Sequence, residues 1–216
     1  MPDAADSTVA AVVFDYGGVL TTPVQPSVGA WLAREGIDPE SFRRAMRSWM
    51  SRSAVTGSPV HLLETGDLAE QAFDVLLANE LVALDGTPVS SDGLVRGMLS
   101  GMRPDPDMFA LVQDIRAAGV AVALLSNSWG DMYPHELLDE HFDVIVISGQ
   151  VRMRKPDEDI FEHTLALLGL EPGRVAFVDD SAANVEGAAR LGMVAVLHAD
   201  HESTRARLAM HVPALG

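Results

Sequence analysis

The stretch VAAVVFDYGG, residues 9–18, decides the fold of this chain. Its first six residues are small, β-branched or aromatic, a composition typical of a strand buried inside a sheet. The apolar run stops abruptly at Asp15, and the glycines at 17 and 18 then predict a turn. We therefore expect a buried strand that ends in an acidic side chain.

Further segments repeat this shape, in which a short apolar run ends at a polar residue. Helical patterns lie between them, one from Asp105-Pro106 to Gly119 and one from Lys155-Pro156-Asp157 to Gly169. This alternation predicts an α/β fold with a parallel sheet covered on both faces by helices. The runs are Val120 to Leu125 before Ser126, Val144 to Ile147 before Ser148, Val175 to Val178 before Asp179, and Val194 to Leu197.

Polar side chains follow three of the predicted strands directly. They are Asp15, Ser126 and the pair Asp179-Asp180. In parallel sheets ligands bind at the carboxyl ends of the strands, so these four side chains would face one crevice. Each of them alone could instead cap the helix that follows it, and only the combination favours a functional site.

Residues from about Thr22 to about Met102 interrupt the alternation, with amphipathic helical stretches and no convincing strand. We expect an inserted helical cap domain at residues 22–102, on an α/β core domain formed by residues 1–21 and 103–216. The expected helical stretches are Val28 to Glu35, Pro39 to Met50, Pro59 to Ala83 and Leu94 to Met102.

The composition limits the partners of the chain. Fifteen Lys and Arg against 31 Asp and Glu give a net charge of −16, which repels nucleic acid and anionic lipid. We expect no nucleic acid and no membrane as partners. The first residues, MPDAADSTVA, carry acids where a secretory signal carries bases, so we expect a cytoplasmic protein. The absence of Cys excludes disulfides and thiolate metal sites.

Lys155 is the only lysine in the chain, and every other basic residue apart from histidine is an arginine. A compositional bias towards arginine is one explanation. The other is that this position needs a compact ammonium, which fits against a single phosphoryl oxygen where the wide guanidinium fork does not.

Four segments together resemble the successive motifs of the haloacid dehalogenase superfamily. They are FDYGGVL at 14–20, LLSNSW at 124–129, RKPD at 154–157 and FVDDSAANVEGAARLGM at 177–193. The resemblance covers nearly all of the chain outside the insert, and it implies a Rossmannoid parallel sheet with a C1-type α-helical cap. Within the insert, LETGDLAEQAF at 63–73 is similar to the branch of the amino-terminal phosphatase domain of soluble epoxide hydrolase, as is SNSW.

The chemistry of these residues suits phosphoryl transfer. The Asp15 carboxylate can attack phosphorus and form an aspartyl-phosphate, which splits the reaction into two displacements. Magnesium would then neutralise charge, held by Asp15, the Gly17 carbonyl and Asp180, with Asp179 close by. Two further residues would assist: Ser126 would donate a hydrogen bond to the phosphoryl group, and Lys155 would neutralise a phosphoryl oxygen and keep Asp15 ionised.

Four residues are candidates for substrate binding: Gly18, Asn127, Trp129 and Arg47. Trp129 follows the second motif and could wall the pocket, although packing explains an aromatic residue there equally well. Arg47 belongs to a basic patch in the expected cap, where one or two arginines could bind an anion; the alternative is a solvated helix face. The patch comprises Arg43, Arg44, Arg47 and Arg52. A lid of this size favours a small phosphorylated metabolite over a folded protein.

Gly17 departs from the resemblance, because phosphatases of this superfamily usually carry a second Asp there as general acid and base. Loss of that group slows esters with poor leaving groups by about 100- to 10,000-fold. Either the substrate has a good leaving group, or another group of the protein transfers the proton through a water molecule. Two alternatives remain open, a 2-haloacid dehalogenase in which Asp15 attacks carbon and a catalytically weak binding module; a homodimer is also left open.

Overall fold

The computed structural model describes residues 8–50 and 57–216, and its centre is a five-stranded parallel sheet. The order of the strands is β3-β2-β1-β4-β5, so that the first strand lies in the middle. Each strand overlaps one of the predicted runs, and the predicted parallel α/β fold is confirmed. The strands are β1 (Ala11–Phe14), β2 (Ala121–Ser126), β3 (Val144–Ile147), β4 (Val175–Asp179) and β5 (Val194–Leu197).

The register of the sheet brings the polar strand ends together. Phe14 of β1 is paired with Leu124 on one side and with Val178 on the other. Asp15 follows Phe14, and its backbone N–H donates to the Val178 carbonyl at 2.9 Å. The carboxyl ends of the three central strands are therefore level with one another, as the strand pattern predicts.

Helices cover both faces of the sheet because alternate residues of the strands are apolar towards opposite sides. The helices of the core are α6 (Pro106–Ala117), α7 (His135–His141), a short α8 (Ser148–Val151), α9 (Glu158–Leu168), α10 (Ala182–Arg190) and α11 (His201–Ala209). Val12 and Phe14 pack in the hydrophobic cluster that contains α6, α7 and α11. Ala11 and Val13 pack in the cluster that contains α9 and α10.

The segment between β1 and α6, residues 22–102, is called the helical insert below. Its described residues, 22–50 and 57–102, form helices and no strand of the sheet. The insert has a hydrophobic cluster of its own, centred on Trp31, Phe73 and Leu77, which are almost completely buried. Its helices are α1 (Val24–Arg34), α2 (Pro39–Met50), α3 (Pro59–Glu64), α4 (Glu70–Glu80) and α5 (Leu94–Leu99).

The helices of the insert differ in extent from those expected. The first begins at Val24 instead of Val28, the last ends at Leu99 instead of Met102, and the stretch from 59 to 83 is two helices. The break coincides with a close contact between the insert and the core. Gly66 has a positive φ of 74°, and a Cβ there would lie 2.7 Å from the Gly149 carbonyl oxygen, so only glycine fits this close approach to the core.

The chain enters and leaves the insert along two adjacent segments. Thr22 N–H donates to the Arg103 carbonyl at 2.8 Å, and Asp105 N–H donates to the Leu20 carbonyl at 2.9 Å. An insert that has its own hydrophobic cluster, and whose two connections to the core lie side by side, has the features of a separate domain. We therefore propose the division predicted from sequence, a core domain of residues 1–21 and 103–216 and a cap domain of residues 22–102.

Across the residues that the structure describes, no helix combines the length and the apolar character needed to cross a membrane. Two expectations concern residues outside the described ranges. They are the expectation drawn from residues 1–7, which bears on location, and the place of Arg52 in the basic patch.

Asp74 provides a test of how the insert is held together. Its buried carboxylate accepts from Leu94 N–H at 3.2 Å and Val95 N–H at 2.9 Å, which joins α4 to the start of α5. Asp74→Ala should lower the free energy of unfolding by about 1–3 kcal/mol, because two buried donors lose their acceptor. Urea unfolding measures this, with the exposed Asp139→Ala as control; equal effects of the two substitutions would contradict the assignment.

Candidate active site

The Lys155 ammonium lies at the centre of the strand ends, with 1% of the residue exposed. Its Nζ donates to Asp15 Oδ1 at 2.7 Å, to Asp179 Oδ2 at 2.7 Å and to the Leu125 carbonyl at 2.8 Å. An ammonium has three donors, and all three are used. The single lysine of the chain thus links β1, β2 and β4 at one point.

These contacts fix the charges of the group. Burial alone would lower the pKa of Lys155, but the carboxylates of Asp15 and Asp179 raise it above its ordinary value. Burial, together with the neighbouring Asp179, raises the pKa of Asp15 to about 7, and the Lys155 ammonium limits that rise. The lysine therefore stays protonated and supplies the charge that stabilises an ionised Asp15.

Asp179 is saturated with donors from the chain. Besides the lysine, its carboxylate accepts from Ser181 N–H at 2.8 Å and from Asn184 Nδ2 at 3.0 and 3.1 Å. The residue is completely buried. These contacts hold Lys155 in place, and the prediction that Asp179 contributes to a metal site stays a prediction. Asn184, which had no firm role from sequence, fixes the orientation of Asp179.

An acidic cluster is present at the same strand ends. Asp15, Asp179 and Asp180 each offer a carboxylate oxygen, and these oxygens lie within 4.8 Å of one another. Burial and the neighbouring Asp179 raise the pKa of Asp180. Carboxylate oxygens are the ligands that magnesium prefers, so the chemistry of this donor set fits a hard divalent cation.

Gly18 leaves room for this cluster. A Cβ at Gly18, where φ is 84°, would lie 2.6 Å from Asp180 Oδ2. The Gly18 N–H, expected from sequence to bind substrate, instead donates to Thr21 Oγ1 at 3.0 Å. The structure therefore gives Gly18 a different task from the expected one: it allows the close approach of Asp180.

Two tyrosines that sequence reasoning missed lie beside Ser126. The Ser126 hydroxyl is 2.9 Å from the Tyr133 hydroxyl, and the rings of Tyr133 and Tyr16 have centroids 5.1 Å apart. Burial raises the pKa of Tyr133 to about 12, so this hydroxyl stays protonated at neutral pH. Tyr16 directly follows Asp15, a position that could have drawn attention to it; nothing in the sequence marks Tyr133.

Asn127 clamps the backbone of the lysine. Its Nδ2 donates to the Lys155 carbonyl at 3.0 Å, and its Oδ1 accepts from the Lys155 N–H at 2.8 Å. Both ends of the amide are thereby occupied by the protein. Asn127 also lines the cavity between the core and the insert, so its substrate-binding role stays a prediction beside its positioning of Lys155.

Glu64 of the insert is the main polar link to the core. It is 5% exposed, and its carboxylate accepts from Arg154 Nε at 2.6 Å and from Trp129 Nε1 at 3.2 Å. The Ser148 hydroxyl donates to the Glu64 carbonyl. Trp129 also packs edge-to-face on Phe73 of the insert, with centroids 5.6 Å apart. Glu64 and Arg154 both lie in motifs quoted above, but neither had been given a role.

A cavity of about 1660 Å³ opens between the core and the insert. Its lining includes Asp15, Ser126, Lys155 and Trp129, together with side chains of the insert. Arg47 has a different place from the one expected: its guanidinium pairs with Glu40 at 2.9 Å on the exposed face of α2. Among the arginines of the basic patch that the structure describes, Arg43 lines the cavity.

The family model of haloacid dehalogenase-like hydrolases matches residues 9–192, which include the whole acidic cluster and Lys155. The chain belongs to this family. It is a hydrolase, and its acidic cluster lies at the carboxyl ends of the neighbouring strands β1 and β4.

Relatives of this hydrolase differ in activity. It is 27% identical over 203 residues to a sesquiterpene phosphatase of Aspergillus oryzae, covering 92% of this chain and 94% of that one. It is 31% identical over 91 residues to an (S)-2-haloacid dehalogenase of Burkholderia cepacia, covering 40% of this chain and 39% of that one.

A solved structure shows the same fold. It is a haloacid dehalogenase-family enzyme of Bacteroides thetaiotaomicron, a variant in complex with magnesium and inorganic phosphate. The TM-score is 0.63 at 19% identity, with 88% of this chain and 93% of that one covered.

The buried pair Glu64–Arg154 should couple the insert to the core. In a double-mutant cycle with Glu64→Gln and Arg154→Met, we expect a coupling free energy of about 1–3 kcal/mol, measured by urea unfolding, because the pair is largely withdrawn from water. The exposed pair Glu40–Arg47 serves as the control and should couple by less than about 1 kcal/mol. A Glu64–Arg154 coupling as weak as the control would contradict this role.

Proposed function

We propose that the chain is a magnesium-dependent phosphatase that forms an aspartyl-phosphate on Asp15 with a small phosphorylated metabolite. The observation that carries the proposal is the contact of a buried ammonium, Lys155, with Asp15 Oδ1 inside an acidic cluster. The cavity above this cluster provides space for a substrate. The phosphatase relative covers nearly all of this chain, whereas the dehalogenase relative covers less than half of it.

In the proposed reaction Asp15 is the nucleophile. Lys155 bonds to Oδ1, so Oδ2 is the atom assigned to the attack on phosphorus. A bond forms between Oδ2 and phosphorus while the bond to the leaving-group oxygen breaks. In the second step water attacks phosphorus, inorganic phosphate leaves and the carboxylate is regenerated.

Magnesium would be held by Asp15, Asp180 and the Gly17 carbonyl, with Asp179 behind them, and when bound it would neutralise the charge of the transferring phosphoryl group. Ser126 would donate a hydrogen bond to a phosphoryl oxygen, with Tyr133 adjacent to orient its hydroxyl. Lys155 would act mainly by its charge, since its three donors already have acceptors in the chain.

The helical insert would act as the lid of this site. Its contacts through Glu64 and Trp129 hold it against the core, and its side chains form much of the cavity lining. A lid excludes water and limits the size of the substrate. This supports a small metabolite as substrate in preference to a folded protein.

One amino-acid substitution and one removal of metal ions test the proposed phosphatase activity. Asp15→Asn should reduce phosphate release from p-nitrophenyl phosphate by at least about 1,000-fold, because the attacking carboxylate is lost. EDTA should abolish release by the unaltered protein, and excess magnesium should restore it. The exposed Asp139→Asn is the control and should retain full activity.

The same preparation tests the alternative of a 2-haloacid dehalogenase. Halide release from 2-chloropropionate that persists in EDTA, without phosphate release from any ester, would assign carbon as the atom attacked. The grouping of Asp180 with Asp15 and Asp179 favours phosphorus, because three neighbouring carboxylates suit a divalent cation, which displacement at carbon does not need. Absence of both activities would leave a binding module as the remaining alternative.

Gly17 gives a second test of the mechanism. A Cβ at this position would be 3.6 Å from Met102 Cε and 3.8 Å from Val24 Cγ2, which is ordinary contact, so a side chain fits. Gly17→Asp should raise kcat for an alkyl phosphate by at least about 10-fold, since a carboxyl can protonate the poor leaving group. The gain for p-nitrophenyl phosphate should be much smaller, with Gly17→Ala as the control. An equal gain for both esters would argue against missing proton transfer.

A further inference from the structure

The lining that the helical insert contributes to the cavity is predominantly apolar. Valine, leucine, methionine and phenylalanine side chains from α1, α2, α3 and α5 face the space above Asp15. We call this lining the apolar wall. Its representatives are Val28, Met46, Leu62, Leu99 and Met102.

The apolar wall is the less buried side of the insert's hydrophobic cluster. Val28, Met46 and Leu99 pack against that cluster but are only partly buried, whereas core residues such as Phe73 are completely buried. The core domain adds Met132, which is 36% exposed, to the lining of the cavity. Contiguous apolar surface left open to water is unfavourable, and in soluble proteins it commonly marks a place where a ligand binds.

The apolar wall reaches the reacting group. Gly17, two residues after the nucleophile, lies against Met102 and Val24, at 3.6 and 3.8 Å from the position of a Cβ. The place where relatives are expected to carry a second carboxylate therefore faces apolar side chains. A substrate with its phosphate at Asp15 would bring its leaving group directly onto this surface.

The charged groups among the lining of the insert are satisfied within the protein. Glu64 is paired with Arg154, Arg43 with Glu40, and Asp67 with Arg152. A multiply charged substrate that bound to these side chains would have to break such pairs. Burying an apolar group against the wall requires no such exchange.

The volume of the cavity also favours a substrate that carries a large apolar group. At about 1660 Å³ it exceeds the roughly 300–1,000 Å³ of pockets that hold drug-sized ligands. A phosphate group occupies only the part next to Asp15. Methionine side chains adapt to ligands of varied shape, which suits a wall that accepts a flexible apolar group.

We propose that the substrate is a phosphate monoester whose alcohol or phenol carries an extended apolar group, and that this group binds along the apolar wall. The proposal rests on the phosphatase function proposed above and names the substrate class of that site. Recognition then has two parts. Charge and hydrogen bonds fix the phosphate, and burial of apolar surface selects the rest of the molecule.

A series of 4-alkylphenyl phosphates, from methyl to octyl, tests the proposal. The phenol leaving group stays nearly constant, so that kcat/KM reports on binding of the alkyl group instead of on proton transfer. We expect kcat/KM to rise by at least about 100-fold from methyl to octyl, as burial of successive methylene groups requires. A flat or falling series would overturn the proposal.

Variants place the effect on the apolar wall. Met46→Gln and Leu62→Gln should each reduce the octyl-to-methyl ratio of kcat/KM by about 10-fold, because an amide in the wall must be desolvated. Met210→Gln, at a position 65% exposed and not among the residues that line the cavity, is the matched control and should leave both rates unchanged. An unchanged ratio in both wall variants would overturn the assignment of the wall.

The series separates the two proposals. Turnover of the methyl ester that depends on Asp15 and magnesium, with no gain from longer chains, would retain the phosphatase and reject the apolar substrate. No turnover of any ester in the presence of magnesium would reject both.

Discussion

The contact of the Lys155 ammonium with two carboxylates is the interaction on which the rest of the site depends. Removing one ammonium and two carboxylates from water is costly, and their mutual attraction offsets that cost only while all partners are in place. The Leu125 carbonyl and the Asn127 amide complete the arrangement around the lysine. Loss of the lysine would leave Asp15 close to an unneutralised, fully buried Asp179. The contacts of Lys155 therefore determine both the position of Asp15 and the stability of the carboxyl ends of the central strands.

A second link joins this centre to the helical insert. Glu64 contacts Arg154 and Trp129, and Arg154 directly precedes Lys155 in the chain. The segment that holds the nucleophile thus also holds the insert. In this arrangement the chemistry of the cavity is divided: the core supplies charge at the strand ends, and the insert supplies apolar surface above it. This division is compatible with an anionic ester in a strongly acidic protein, since a cation held by the carboxylates would neutralise the phosphate and the lining from the insert is mainly apolar.

The sequence predicted the sheet well because buried parallel strands leave continuous apolar runs. It also predicted where the strands end, because each run stops at a polar residue. The convergence of Asp15, Ser126 and the pair at 179–180 followed from parallel topology, whereas Lys155 was expected there from the family resemblance. For Gly18, Asn127 and Arg47 the structure shows contacts within the protein that the sequence did not predict, and these contacts share one feature. Each depends on which neighbour the side chain or amide meets, Thr21, the Lys155 backbone and Glu40 respectively, and sequence spacing does not encode such contacts. Likewise, the break at Gly66 coincides with a close contact to the distant Gly149 carbonyl.

The central claim is that Asp15 itself carries the phosphoryl group. Rapid acid quench during turnover with magnesium, followed by mass spectrometry of the peptide that contains Asp15, tests it most directly. The intermediate should accumulate, because Gly17 offers no general base to the attacking water. The account predicts one phosphoryl group on Asp15 during turnover and none once the substrate is exhausted. Sustained phosphate release with Asp15 unmodified at every quench time, or with the phosphoryl group on another residue, would contradict it.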